Sequence, residues 1–324
     1  MRMVINMLTK ADIQRIGYID TLRGFCMILI VWYHTSHPSF LDYTFYNASL
    51  FFVSGMLFVP NKGDFFHKKI RRLIIPFVFF YLLYYFFIVS LNFVKYHSIS
   101  YEVLGSIFDA FRWYSDNDGY NCNYPLWFIG ALFGTQLMAK GMFNIIRNSW
   151  VLLFIAFFVS VVSSLYIVHI PTPFFWGRSL TFLFYYVAGY VLYNKIQEQR
   201  MNVYGTVACF LWFVLLWMDS SIQFVEISLK MMELCAFSIV LLVLCKMMNR
   251  FKIMSFLSFW GINSLILLGM HDMFLTILRI LTINLCGGMT LWLGLINWIL
   301  TLGLIVPTIF FLNKYCPVLI GKKR

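Results

Sequence analysis

Residues 73–94 read LIIPFVFFYLLYYFFIVSLNFV, a run without one charged side chain, directly after His67-Lys68-Lys69-Ile70-Arg71-Arg72. The hydrocarbon core of a bilayer is about 30 Å thick, and a helix needs about 20 apolar residues to cross it. The run meets that length, and the cations before it form the flank expected on the cytoplasmic side. Similar runs extend in both directions. They predict spanning helices at roughly 18–36, 43–60, 73–94, 125–143, 150–169, 178–194, 203–219, 230–248, 259–280 and 290–312. The predicted fold is all-α: a polytopic transmembrane bundle of about ten helices, one domain over 1–324, with both termini cytoplasmic.

Composition excludes a soluble body. Of the 324 residues, 61% are hydrophobic, 20% aromatic and only 12% charged. An average soluble domain carries about 25% charged residues. Half that charge cannot cover the surface of a water-soluble chain, and lipid is the solvent that accepts the rest. The net charge of +12 does not point to nucleic acid. The basic residues stand in short groups between apolar runs, with no basic stripe on a polar face. With a cytoplasmic N-terminus, nineteen of the 25 Lys and Arg fall in segments predicted to be cytoplasmic. Lys95, Arg112, Arg178, Lys230 and Arg279 fall outside, and Arg23 alone lies within a predicted span. This asymmetry predicts a multi-pass protein of the cytoplasmic (inner) membrane. The first apolar run ends in Tyr33-His34-Thr35-Ser36-His37 without a small-residue cleavage site, so it is expected to remain as an anchor.

Polar residues inside such runs are the candidates for chemistry. The first run holds Asp20-Thr21-Leu22-Arg23-Gly24 and then His34. Eleven residues separate Arg23 from His34. On a helix that places both within about 20° of one azimuth and about 16 Å apart along the axis. They cannot grip one reacting atom, but they can line one groove along the helix. An Arg within a span costs about 2.5–3.5 kcal/mol even on the lenient insertion scale. A simple pairing with Asp20, or snorkelling toward water, also accommodates it. The run Phe51-Phe52-Val53-Ser54-Gly55 offers a serine hydroxyl with no base nearby in sequence, or a small-residue face for helix packing. Lys68, Lys69, Arg71 and Arg72 suit either anionic lipid or the phosphates of a cytosolic cofactor. Trp127 reads as an interfacial anchor. Asn263 and His271 read as groups facing the bundle interior. The segment 95–124, on the outer side, is the most polar stretch and offers aromatic faces, amides and carboxylates to an outer-side ligand. No cluster has metal-ligand spacing, so no metal is expected.

These pieces in this order resemble the family 3 membrane acyltransferases, and within them the branch of fucose-4-O-acetylase-like sugar O-acetyltransferases. The resemblance rests on the Arg-x10-His pair Arg23 and His34, the Phe-Phe-x-Ser-Gly run 51–55, the basic run ending Arg71-Arg72-Leu73-Ile74-Ile75-Pro76, Leu126-Trp127-Phe128, and Asn263-Ser264 with His271. It implies about ten transmembrane helices and an acyltransferase. An acyl group, acetyl in this branch, would pass from acetyl-coenzyme A to a hydroxyl of a cell-surface or exported carbohydrate. It implies that His34 and Arg23 are the functional pair, with His34 as general base and Arg23 positioning the donor. Lys68, Lys69, Arg71 and Arg72 would hold the coenzyme's anionic end. Asp20, Ser54, Trp127, Asn263 and His271 would support the site. The other class open to such a sequence is a transporter of a glycan or lipid-linked precursor, although no internal repeat supports it. His34→Ala and Arg23→Ala are each expected to abolish O-acylation while the protein stays in the membrane at its normal level. Product formation by whole membranes, beside an immunoblot, is the check; wild-type product from either variant refutes the pairing.

Overall fold

The computed structural model describes residues 17–35, 45–59, 64–111, 113–114, 123–170, 172–197, 201–249 and 251–322, and these are almost entirely helical. The helices are α1 (Gly17–Tyr33), α2 (Phe45–Met56), α3 (Phe65–Tyr96), α4 (Tyr101–Gly105), α5 (Trp127–Ile145), α6 (Ser149–Ile167), α7 (Trp176–Thr181), α8 (Leu183–Gln197), α9 (Met201–Leu216), α10 (Gln223–Met248), α11 (Lys252–Ile262), α12 (Ser264–Cys286) and α13 (Leu291–Tyr315). One short antiparallel pair, β1 (Trp113–Tyr114) with β2 (Thr172–Pro173), links two loops.

Among the described residues, each of the ten segments predicted to span contains helix. By length and composition, α3, α6, α10, α12 and α13 are long and apolar enough to cross a membrane. Helices α1 and α2 have 17 and 12 residues, about 25 Å and 18 Å long, short of the hydrocarbon thickness. Two predicted runs are broken rather than continuous: 178–194 divides at Phe182, between α7 and α8, and 259–280 divides at Asn263, between α11 and α12. The basic stretch before residue 73 is the first part of α3. Pro76 has no backbone N–H to return to the preceding turn. The helix widens just before it, over Ile70–Ile74, where the Ile75 N–H reaches the Ile70 carbonyl. Arg71 and Arg72 therefore sit on a π-turn, which changes the direction in which their side chains leave the helix.

Glycines bring the central helices into backbone contact. A Cβ at Gly24 of α1 would collide with the Leu257 carbonyl of α11, and one at Gly261 of α11 would collide with the Asp20 carbonyl of α1. The same reciprocity holds for α2 and α8, where Gly55 meets Tyr186 and Gly189 meets Phe52. In lipid, such close approach supplies the packing that water would otherwise drive. Around these crossings Phe51, Phe52, Leu22 and Tyr186 are fully buried. Buried hydroxyls add specific links: Ser49 and Ser238 share a hydrogen bond of 2.9 Å between α2 and α10. Large apolar side chains such as Phe154, Trp292 and Leu285 point outward, as a lipid-facing surface requires. Of the cysteines, Cys26 and Cys235 are buried while Cys209 and Cys286 are exposed.

The crossings set a stability test. Gly24→Ala and Gly55→Ala are expected to destabilise the protein by about 1–3 kcal/mol through forced separation of the helices. Gly141→Ala, on an open face of α5 with nothing within 4 Å of the added carbon, should be neutral or stabilising by up to about 1 kcal/mol. Thermal unfolding in detergent measures all three; equal shifts would refute the close-contact reading.

Candidate functional site

His34 lies one residue past α1, half-buried. Its backbone is held from both sides of the helix end. Its N–H donates to the Ile30 carbonyl at 3.2 Å. Its own carbonyl accepts from Arg279 Nη2 of α12 at 2.9 Å. Carbonyls at a helix C-terminus lack partners within the helix, and a guanidinium is a strong donor for one. That bond docks α12 against the end of α1. The same docking brings His271, fully buried on α12, beside His34, with ring centroids 5.2 Å apart and planes inclined by 48°.

The His34 side chain forms part of the wall of a cavity of about 390 Å³, together with Asn47, Trp127, Arg178, Tyr185 and Lys230. That volume lies in the range of small-molecule sites, about 300–1,000 Å³. The wall is built from stacked rings. Arg178 lies over the Trp127 ring at 4.4 Å and donates to the Tyr124 hydroxyl at 2.8 Å. Trp127 stacks on Phe182 at 5.8 Å, and Phe182 stacks on Phe51 at 4.5 Å. A guanidinium on an aromatic face gains cation–π attraction and keeps its edge for hydrogen bonds. Lys230 is held by Glu233 at 2.7 Å.

The second cluster stands at the opposite end of α1. Arg23 Nη1 lies 3.7 Å from Asp20 Oδ1. The charges of Arg72 and Arg23 both act on the Lys69 ammonium. Lys69 and Lys140 converge on one ring, Phe65, at 5.3 and 4.4 Å from its centroid. Arg71 Nη2 donates to the Lys322 carbonyl at 3.2 Å. The Lys322 ammonium in turn reaches Asn263 Oδ1 at 3.3 Å and the Asn313 side chain. Asn313 Nδ2 donates to Asn263 Oδ1 at 3.0 Å. Lys68 and Arg72 are exposed, whereas Lys69 and Arg71 are half-buried.

The sequence-predicted residues thus divide between two ends. His34 and Trp127 line the cavity, and His271 packs against His34 behind it. Arg23, Asp20, Lys68, Lys69, Arg71, Arg72 and Asn263 belong to the basic end. Arg23 does not line the cavity that His34 lines. Ser54 is in neither group: its hydroxyl donates to the Leu50 carbonyl one turn back, at 2.8 Å. The segment 95–124, expected to meet an outer-side ligand, reaches the cavity through Tyr124; its polar residues Arg112, Asp116, Asn117, Asp118, Tyr120 and Asn121 lie outside the described residues. Four cavity or docking residues carried no predicted role: Arg178, Lys230, Arg279 and Tyr185. A signal for the first three existed, since they are outer-side exceptions to the positive-inside pattern. Lys140 at the basic end carried none, because it reads as an ordinary cytoplasmic lysine.

A family model described as an acyltransferase domain matches residues 16–313. No curated protein and no solved structure matches the chain. The helical hydrogen bond of Ser54 makes a sharp expectation. Ser54→Ala should retain acyl transfer within about twofold and change stability by less than about 1 kcal/mol. A loss of two orders of magnitude at equal protein level would assign Ser54 to the chemistry.

Proposed function

The chain belongs to the acyltransferase 3 family and is a membrane acyltransferase, and from that premise we propose that it transfers acetyl from cytosolic acetyl-coenzyme A to a hydroxyl of a cell-surface or exported carbohydrate. The observation that carries this reading is the division along α1. A gathering of cations stands at one end. A histidine in the wall of an aromatic cavity stands about 16 Å away at the other.

The basic end suits the donor. The nucleotide end of a coenzyme A ester is polyanionic, and Lys and Arg bind phosphate oxygens through charge-assisted hydrogen bonds. Lys69, Arg71 and Arg72, with Lys140 beside them, would hold it on the cytosolic side, where the positive-inside pattern puts them. Exposed Lys68 adds long-range attraction. Arg23, close enough for its charge to act on Lys69, would meet the donor as it enters the bundle. Asp20 keeps that guanidinium from being an unpaired charge in lipid.

The cavity suits the acceptor. Sugars present apolar CH faces to aromatic rings and hydroxyls to polar edges, and the wall carries both kinds of group. In the reaction, one His34 nitrogen takes the proton of the acceptor hydroxyl while the oxygen attacks the thioester carbon. The C–O bond forms, the tetrahedral intermediate collapses with cleavage of C–S, and the thiolate takes the proton back from His34. Arg178 and Lys230 would orient the acceptor from the far wall. The protein would sit as a multi-pass chain in the cytoplasmic membrane, with α3, α6, α10, α12 and α13 as its longest spans.

Purified protein given radiolabelled acetyl-coenzyme A tests this reading. Saturable binding is expected, with transfer of label to a carbohydrate acceptor fraction; movement of a glycan without label would favour a transporter. The Lys69→Ala/Arg71→Ala variant is expected to raise the KM for acetyl-coenzyme A about 100-fold or more, from loss of two charged hydrogen bonds at about 1.5–3 kcal/mol each. Its kcat should be nearly unchanged. An unaltered donor KM would remove these residues from the donor site.

A further inference from the structure

The buried side of His34 is occupied by a second imidazole whose protonation state the surroundings decide. His271 Nδ1 lies 2.9 Å from the Leu267 carbonyl oxygen. A carbonyl oxygen only accepts, so Nδ1 carries the hydrogen. A second hydrogen, on Nε2, would make a fully buried cation with one N–H left unpaired, a costly arrangement. His271 is therefore neutral, and its Nε2 presents a lone pair. That atom is buried and has no hydrogen-bond partner among the described residues. An unpaired buried acceptor costs about 1–3 kcal/mol. The group beside it that carries a movable N–H is His34, at 5.2 Å between ring centroids. His34 faces the cavity, whereas from the neighbouring turn of α12 only Leu268 does. His271 thus stands behind His34 as seen by a ligand.

We propose that His271 is a positioning residue for His34: its Nε2 accepts the hydrogen of one His34 ring nitrogen, and so leaves the other as a lone pair aimed into the cavity. The inference rests on the reading of His34 as general base. A modest rotation of the His34 ring closes the distance once an acceptor fills the cavity, which agrees with catalytic hydrogen bonds tightening in the substrate complex. The arrangement does for His34 what a buried carboxylate does for the histidine of a hydrolase triad: it selects the tautomer and the ring orientation. It differs in charge. A neutral partner steadies the imidazolium by a hydrogen bond alone, so the proton is released more readily to the departing thiolate. His271 exchanges no proton in this scheme. The Leu267 carbonyl fixes its tautomer, and Arg279 fixes the backbone of His34.

Two substitutions separate positioning from mere packing. In His271→Asn, the side-chain amide can still donate to the Leu267 carbonyl, but nothing reaches the Nε2 position. In His271→Gln, the amide oxygen reaches that position as an acceptor. The expected result is a loss of about 100-fold in kcat for His271→Asn with both KM values within about twofold. His271→Gln should recover at least tenfold of that loss. A purely structural histidine predicts the reverse order, since Asn keeps the bond to Leu267. His271→Asn at wild-type kcat, or at or above His271→Gln, overturns the proposal. His34→Ala in the same assay keeps the two readings apart. If it retains activity, the general-base reading fails and carries this one with it. If it is inactive and the Asn and Gln variants rank in the structural order, only the role of His271 falls.

Discussion

Everything proposed for this protein hangs on α1, and α1 is held where its backbone touches that of α11. Gly24 and Gly261 remove the two side chains that would otherwise part the helices. Without that approach the first helix would shift by the width of a methyl group or more. Arg23, one residue before Gly24, and His34, three turns on, would both move with it. A helix transmits such a displacement along its length because its hydrogen-bonded backbone is stiff. The contact is also economical in lipid, where apolar side chains gain nothing from leaving water and close packing must supply the attraction.

The second constraint is electrostatic. A bilayer interior makes an unpaired charge expensive, and the described cations near the core meet an acid, a ring or a backbone carbonyl, as Arg279 meets that of His34. Arg23 has Asp20, and Lys230 has Glu233. Arg178 rests on Trp127, and Lys69 and Lys140 share Phe65. These contacts cost little conformational freedom because the rings are themselves held: Trp127 stacks on Phe182 and through it on Phe51, and Phe65 packs edge-on against Phe58. Rigidity of this kind is what a site needs, since a displacement of about 1 Å at a reacting group can cost two orders of magnitude in rate. It also explains the conjunction Phe51-Phe52-Val53-Ser54-Gly55. Phe51 supports the cavity stack, Phe52 meets Gly189, and Gly55 lets α8 approach. The serine between them satisfies its own helix.

Much was legible from residue order because the solvent is so selective. Apolar length marked the long helical segments, though not the short α4 within 95–124, and the charge asymmetry marked which end is basic. The Arg-x10-His spacing placed Arg23 and His34 about 16 Å apart along one helix axis, and the structure puts Arg23 within α1 among the cations and His34 one residue past its end, at the cavity. Local pattern did not mark every bend. The breaks at Phe182 and Asn263 have no proline to signal them, whereas the π-turn lies just before Pro76.

Periodicity and hydropathy are properties of neighbours along the chain, so the amino-acid sequence by itself determined a helical membrane protein, its basic end and its acyltransferase family. The partnership of His34 with His271 joins residues from opposite ends of the chain, and the cavity draws its wall from several helices. No spacing rule links such positions. Only the packing of α1 against α11 and α12, set by glycines and by one guanidinium on one carbonyl, decided that two imidazoles would meet and that Arg23 would stand apart from them.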